Sequence, residues 1–151
     1  MQISAKADYA VRAVVELAGA GGGPVKGERL ATSQAIPPKF LEAILAQLRQ
    51  HRILVSRRGS EGGYWLARPA EAITLADIIR AVDGPLASVR GYRPEDVSYT
   101  GASERLADVW LALRVSLRNV LEHVTVADLA LGPLPPVVAE MLANPDARQS
   151  R

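Results

Sequence analysis

The sequence predicts a mainly α-helical fold with one small β-hairpin, organised as a winged helix-turn-helix domain plus a long dimerisation helix. Three observations predict it. Apolar residues return at helical spacing in three successive segments before residue 51. Two short runs rich in branched and aromatic residues then flank GSEGG (Gly59 to Gly63), whose glycines can take the positive φ of a hairpin turn. Further on, ERLADVWLALRVSLRNVLEHV repeats apolar residues with alternating four and three spacing at Leu106, Trp110, Leu113, Leu117, Val120 and Val124.

In order along the chain, Ser4 can cap a first helix whose apolar positions are Tyr9, Ala10, Ala13, Val14, Leu17 and Ala18, and GAGGGP (Gly19 to Pro24) ends it. A second helix, Glu28 to Gln34, turns Leu30 and Ala31 inward. After a connection of helix-turn-helix length containing Ala35 and Ile36, a third opens at Pro37-Pro38, where a missing N–H costs little. Its apolar stripe is Phe40, Leu41, Ile44, Leu45 and Leu48. Strands are expected at Ile53 to Arg57 and Tyr64 to Ala67. Three helices followed by a hairpin make a winged helix. Thr74-Leu75-Ala76-Asp77 has the capping-box pattern of a further helix start, stopped by Gly84-Pro85.

PLASVRGYRPEDVSYTGAS, which follows, shows neither helical nor strand periodicity, and loops of that length tend to be functional or disordered. The heptad-like stripe beyond it reads as a dimerisation seam crossing its symmetry mate; the alternative is a stripe packing only on its own chain, a task open to Val109, Leu111 and Val115 in either case. Trp110 reads as core, and His123 as a favourable partner of a helix C-terminus. Thr125 to Asp128 starts another short helix, and GPLPP precedes an apolar turn, Val137 to Leu142. The expected division is residues 1–84 for the winged domain, 85–103 for a sensor-type loop, 104–143 for the dimerisation helix and short C-terminal helices, and 144–151 for a disordered tail.

Composition narrows the function. With 151 residues, 48% of them hydrophobic, the chain can bury one real core. No apolar run reaches the roughly 18 residues of a membrane span, and Lys6, Asp8, Arg12 and Glu16 break the first 20 residues, so neither a membrane anchor nor a signal peptide is expected and the location reads as cytoplasmic, on the nucleoid. Zero cysteines exclude disulfides and thiolate metal sites, and no metal site is expected. No nucleophile with a base, metal-ligand cluster or phosphate-cradling loop argues for an enzyme, since GAGGGP follows a helix rather than a strand. The net charge of +2 conceals an asymmetry: residues 1–69 hold 10 Lys+Arg against 5 Asp+Glu, and residues 70–151 hold 8 against 11. A basic half suggests a polyanionic partner.

That basic half contains VSRRGSEGGYWLARP, with Arg57 and Arg58 at the expected tip of the wing. An arginine there can enter a narrow minor groove or neutralise phosphates, while glycines allow close approach to a sugar-phosphate chain. Arginines before a turn also protect an exposed hairpin edge from aggregation, a reading that the preceding helix-turn-helix outweighs.

IPPKFLEAILAQLRQHRILVSRRGSEGGYWLARP followed by EAITLADIIRAVDGP resembles the hallmark region of the IscR/NsrR/CymR family of bacterial winged-helix transcription regulators. The resemblance rests on the Ile-Pro entry, Phe40-Leu41-Glu42, Gln47-Leu48, Ser56 to Gly59 and Gly62-Gly63-Tyr64, and runs from Met1 to about Leu131. It implies a homodimer on duplex DNA with a near-palindromic operator. Lys39 and Glu42 match positions that face base edges, and Arg58 matches a wing arginine reaching the minor groove. Glu42 has two readings: accepting from a cytosine amino group, or pairing with Lys39 or Arg49 on a solvated face. Lys39, Arg49 and Arg57 suit phosphates, and Gln34 and Gln50 are further polar candidates. Where relatives commonly carry glycine this chain has Arg52, which predicts either strain or a reshaped helix exit.

In the cluster-binding relatives the loop supplies three cysteines to an iron–sulfur centre. Here it supplies none, and Tyr92, Asp96, Ser98 and Tyr99 are no substitute for soft thiolates, so no Fe–S cluster and no other cofactor is expected. Arg90, Tyr92, Arg93 and Tyr99 could instead offer charge and stacking to a small-molecule effector, with a protein effector or a purely structural loop as alternatives. The competing function is a winged-helix protein–protein interaction module without direct DNA binding.

Overall fold

The computed structural model describes residues 2–149. Its elements are α1 (Ala5–Gly19), α2 (Gly27–Gln34), α3 (Pro38–Gln50), β1 (Leu54–Arg57), β2 (Gly63–Leu66), α4 (Leu75–Asp83), α5 (Leu106–Leu121), α6 (Val126–Leu131) and α7 (Pro136–Leu142). The expected class, mainly helical with one antiparallel hairpin, is the class observed. Both strands sit one residue away from the sequence reading. Ile53 is taken up in ending α3, its N–H donating to Leu48 O at 2.9 Å, and the ladder runs from Leu54↔Leu66 to Arg57↔Gly63.

α1 occupies the middle of the core. The Ser4 side chain caps it by accepting from the Ala7 N–H at 2.9 Å, and the buried residues Ala7, Ala10, Ala13, Val14 and Leu17 line one face. Alanines add no bulk at a helix contact, so α3, α4 and α6 can approach this face closely. α3 contributes Leu41, Ile44, Leu45 and Leu48 to the same core. Phe40 does not join that stripe: it stays 47% exposed, one position outside the buried arc, with its ring edge-on to Tyr9 at 5.8 Å.

The exit of α3 keeps the left-handed turn and is not reshaped. Arg52 takes φ 57°, its N–H donating to Arg49 O at 3.0 Å while Ile53 donates back to Leu48, the paired bonds of a Schellman cap. Burial of both Leu48 and Ile53 holds the cap shut. A non-glycine there costs about 1 kcal/mol, which the closed cap and the apolar pair offset.

Two identical helix starts are clipped together. Thr74 with Asp77 and Thr125 with Asp128 each form a full capping box, and the two threonines pair as an antiparallel bridge. Leu75 N–H donates to Val124 O at 3.0 Å and Val126 N–H to Ile73 O at 2.9 Å. Hence α6, which the sequence groups with the dimerisation segment, packs through fully buried Val126 into the core of the winged domain. Val124 is corrected with it: it lies past the end of α5 and is buried, so it is not part of an open seam.

α5 contrasts with every earlier helix because none of its residues is buried. Leu106, Trp110, Leu113, Leu117 and Val120 are half-buried. Val109 (55% exposed) and Val115 (63%) face outward, contrary to the expectation that they pack on their own chain, and Leu111 is half-buried. The loop before α5 is folded: Val89 and Tyr92 form a bridge, 3-10 turns occur at Pro94–Asp96 and Gly101–Ser103, and Leu86, Pro94 and Val97 are buried. The expected disordered tail also carries a 3-10 turn, Pro145–Arg148, begun by Asn144 Oδ1 accepting from Asp146 N–H at 3.0 Å; residues 150 and 151 of that tail lie outside the described residues.

Candidate nucleic-acid interface

The α2–α3 turn is set by Ala35, left-handed at φ 51°, and by buried Ile36, whose N–H donates to Ala31 O at 2.9 Å. Pro37 and Pro38 then begin α3, and its first turns present Lys39 and Glu42 to solvent. Neither side chain makes a hydrogen bond or ion pair among the described residues, so Glu42 is not neutralised by Lys39 or Arg49. Arg49 instead donates through Nη1 to Ser56 Oγ at 3.1 Å, tying α3 to β1. Gln34 is turned inward, bonded to Glu16 at 2.6 Å and to Arg12, and is removed from the surface candidates; Gln50 is exposed.

At the wing, Arg57 Nη2 donates to Glu61 O at 3.2 Å, and Arg58 is exposed with no partner among the described residues. The glycines divide into two roles. Gly59, at φ +102°, is exposed and accepts from the Gly62 N–H at 3.0 Å, closing the turn. Gly62 and Gly63 are buried: a Cβ at Gly62 would lie 2.0 Å from Arg57 O, and one at Gly63 2.6 Å from Val25 O. Their close approach is to this chain's own backbone, so neither is presented to a groove. Tyr64 is half-buried, its N–H donating to Val25 O at 2.8 Å and its carbonyl accepting from Val25 N–H at 2.9 Å. With Gly27, Glu28, Lys39 and Glu42 it lines a cavity of about 350 Å³ between the N-termini of α2 and α3.

Lys26 was missed by sequence reasoning. It is exposed at the N-cap of α2, and its Nζ donates to Gly59 O, adding a cation to the wing turn. Only the Val25–Tyr64 bridge, a pairing 39 positions apart in the chain, brings it there.

The four effector candidates do not converge. Tyr99 Oη accepts from Trp110 Nε1 at 3.0 Å, holding loop to α5, whereas Arg90 and Tyr92 are exposed. Arg93 lines a cavity of about 390 Å³, shared with Arg80, Arg114 and Arg118 and with none of the other three candidates. Nearby, Glu95 pairs with Arg114, and Glu122 with Arg80 and, at 3.7 Å, Arg118. Both carboxyls are held below their ordinary pKa, Glu95 by a backbone hydrogen bond and then by Arg114 and Arg93, Glu122 by the hydrogen bond from Arg80 and then by the charges of Arg80, Arg118 and His123.

A helix-turn-helix whose second helix turns Lys39 and Glu42 to solvent beside a hairpin carrying exposed Arg57 and Arg58 defines a DNA-binding transcription regulator. The chain belongs to the Rrf2 family, described as iron-dependent transcriptional regulators, whose profile matches residues 3–131. A Mycobacterium tuberculosis protein, Rv1287, whose name assigns it provisionally to the HTH-type transcriptional regulators, is 52% identical over 151 residues, covering 99% of this chain and 94% of that protein. The HTH-type transcriptional regulator CymR of Bacillus subtilis is 32% identical over 131 residues, 86% of this chain and 90% of CymR. A solved structure of B. subtilis CymR, named there the global cysteine regulator, superposes with a TM-score of 0.73 at 32% identity, covering 86% of this chain and 96% of that one. An IscR structure from T. potens gives 0.69 at 28% identity, covering 100% and 93%. These relatives are named as regulators of transcription, not as enzymes. Among the described residues, no helix is long and apolar enough to cross a membrane.

The family's iron dependence does not carry to a cysteine-ligated centre here. With no cysteine in the sequence, and no group of three or more His, Asp or Glu arranged to hold a metal among the described residues, the donor set does not fit.

Proposed function

We propose that this chain is a homodimeric, sequence-specific repressor that sets α3 in the major groove and Arg58 of the wing in the minor groove, and that it works without a cysteine-ligated Fe–S cluster. The observation that carries the reading is that Lys39 and Glu42 on α3 and Arg58 on the wing are exposed, and their side chains make no bond among the described residues. An unpaired arginine at a narrow groove and an unpaired lysine at a phosphate both gain from counterion release. Glu42 is repelled by phosphates and gains only where a cytosine amino group faces it, so it acts on specificity. Arg49, Arg57 and Lys26, already held by Ser56, Glu61 and Gly59, form the fixed basic border.

The half-buried stripe Leu106, Trp110, Leu113, Leu117 and Val120 supports pairing of two chains, because a helix of this length with no buried residue has apolar surface left to cover. Two recognition helices related by a two-fold axis call for half-sites about 34–36 Å apart. A dimer lying on such an operator in the cytoplasm, on the nucleoid, blocks polymerase by occupancy alone. The test is to sequence genomic DNA fragments retained by the purified protein. A recurrent near-palindrome is expected; no retention even at low salt would favour the protein–protein interaction module.

A further inference from the structure

The cavity between the end of α4, the 3-10 turn at residues 94–96 and α5 is lined by Arg80, Arg93, Arg114 and Arg118, with Glu95 as its one carboxylate and Pro85, Leu86 and Pro94 as apolar wall. Its cations outnumber their partners. Glu122, beside it, is shared by Arg80 and Arg118, Glu95 takes Arg114, and Arg93 has no ion pair among the described residues. Each guanidinium carries five N–H donors in a planar fork, so two carboxylates leave most of this donor capacity unused. Arg114 is the most enclosed, its side chain only 16% exposed, which strengthens any charge-assisted bond it makes. A volume of about 390 Å³ is at the small end of the range for small-molecule sites.

We propose that this cavity is a binding site for a small organic dianion, a dicarboxylate or a phosphomonoester, whose two charges meet the two excess arginines while its short carbon skeleton lies on Pro85, Leu86 and Pro94. The last turn of α4 presents the negative end of its dipole here, and Arg80 offsets it. The site joins three parts of the chain: Arg80 belongs to the winged domain, Arg93 to the loop, Arg114 and Arg118 to α5. An anion drawing these arginines together changes the set of α5 against the winged domain and, in a dimer, the spacing of the two α3 helices. That regulatory consequence rests on the DNA-binding dimer proposed above; the site itself does not.

The test titrates the full chain with succinate and with glycerol 3-phosphate at fixed ionic strength, by calorimetry and thermal shift, with acetate and glycerol as controls. Saturable binding of at least one dianion is expected, with both controls at least about tenfold weaker. Arg93→Ala and Arg118→Gln should each weaken it about tenfold, whereas Arg58→Ala should leave it unchanged. Circular dichroism and melting of Arg93→Ala, which breaks no ion pair, guard against misreading an unfolded variant. No saturable dianion binding, binding indifferent to Arg93 and Arg118, or binding lost with Arg58 overturns the site. The same dianion is then added to the protein on its selected DNA: a shifted midpoint supports the regulatory consequence, and an unchanged one overturns it. Failure to retain any DNA, with dianion binding intact, counts against the proposed function and not against the cavity.

Discussion

The winged domain and α5 bury their apolar residues in opposite ways. In the former, Leu30, Leu41, Ile44, Leu45, Leu48, Ile53, Leu54, Ile73 and Ile78 are all essentially inaccessible, and one cluster connects α1 through α4 with α6. α5, one of the longest helices, has no buried residue and leaves Val109 and Val115 in solvent. The winged domain therefore draws its stability from within one chain. α5 draws only part from its own chain, through Trp110–Tyr99 and two ion-pair clusters, and keeps apolar surface that the proposed dimer would cover.

The largest expected effect tests the self-sufficient side. Leu48→Ala removes a side chain at 0% exposure beneath the Schellman cap, and should cost about 2–5 kcal/mol in denaturant unfolding at every protein concentration. Leu113→Asp tests the other side: light scattering should fall from the mass of two chains to that of one, with the circular dichroism of the winged domain retained. Unchanged mass would break the comparison, since α5 would then be complete within its own chain. Next, Arg58→Ala should weaken operator binding by about 1–3 kcal/mol, most at narrow A·T-rich sites, while Glu42→Ala leaves affinity for random DNA equal or higher and relaxes preference at one base position. Uniform loss for both on all sequences would contradict the roles assigned to them.

Two smaller effects sharpen the boundary between the regions. Arg52→Gly relieves a left-handed residue and should raise stability by up to about 1 kcal/mol, read as a higher denaturation midpoint. Acidification addresses the α4–α5 link. Glu122 and Glu95 have folded pKa values below their ordinary value, so their contribution is present above that ordinary value and is lost as pH falls through the lowered one. Glu122→Gln should flatten this acid limb in thermal melts by lowering the neutral-pH melting temperature by the same amount, a small one as expected for exposed pairs.

The helix-turn-helix, the hairpin, the capping box at Thr74 and the helix start at Thr125 were legible because each is written in neighbouring residues: periodic leucines, Pro37-Pro38, a glycine turn, Thr-x-x-Asp. What was illegible depends on pairings distant in the chain. The Val25–Tyr64 bridge buries Gly63 and delivers Lys26 to the wing, so Gly62 and Gly63 looked like groove contacts and Lys26 like an ordinary surface residue. The Thr74–Thr125 bridge draws Val124 out of a stripe whose spacing it fits. The arginines of the cavity stand on three separate elements, and only Arg93 falls within the segment whose lack of periodicity marks it as a loop.

The bridge between Thr74 and Thr125 makes the stretch from α4 to α6 a closed handle, riveted to the winged body at both ends. A protease nicking this handle between residues 85 and 103 would leave two pieces still fastened to each other, because Val126 remains plugged beneath α1. A gene truncated at the same place would behave otherwise. Its product would lack the plug, leaving Ile73 and Leu75 unlatched along the flank of the body, so a freestanding DNA-binding head must be assembled from both sides of the handle, with α6 joined back to α4 by a short linker.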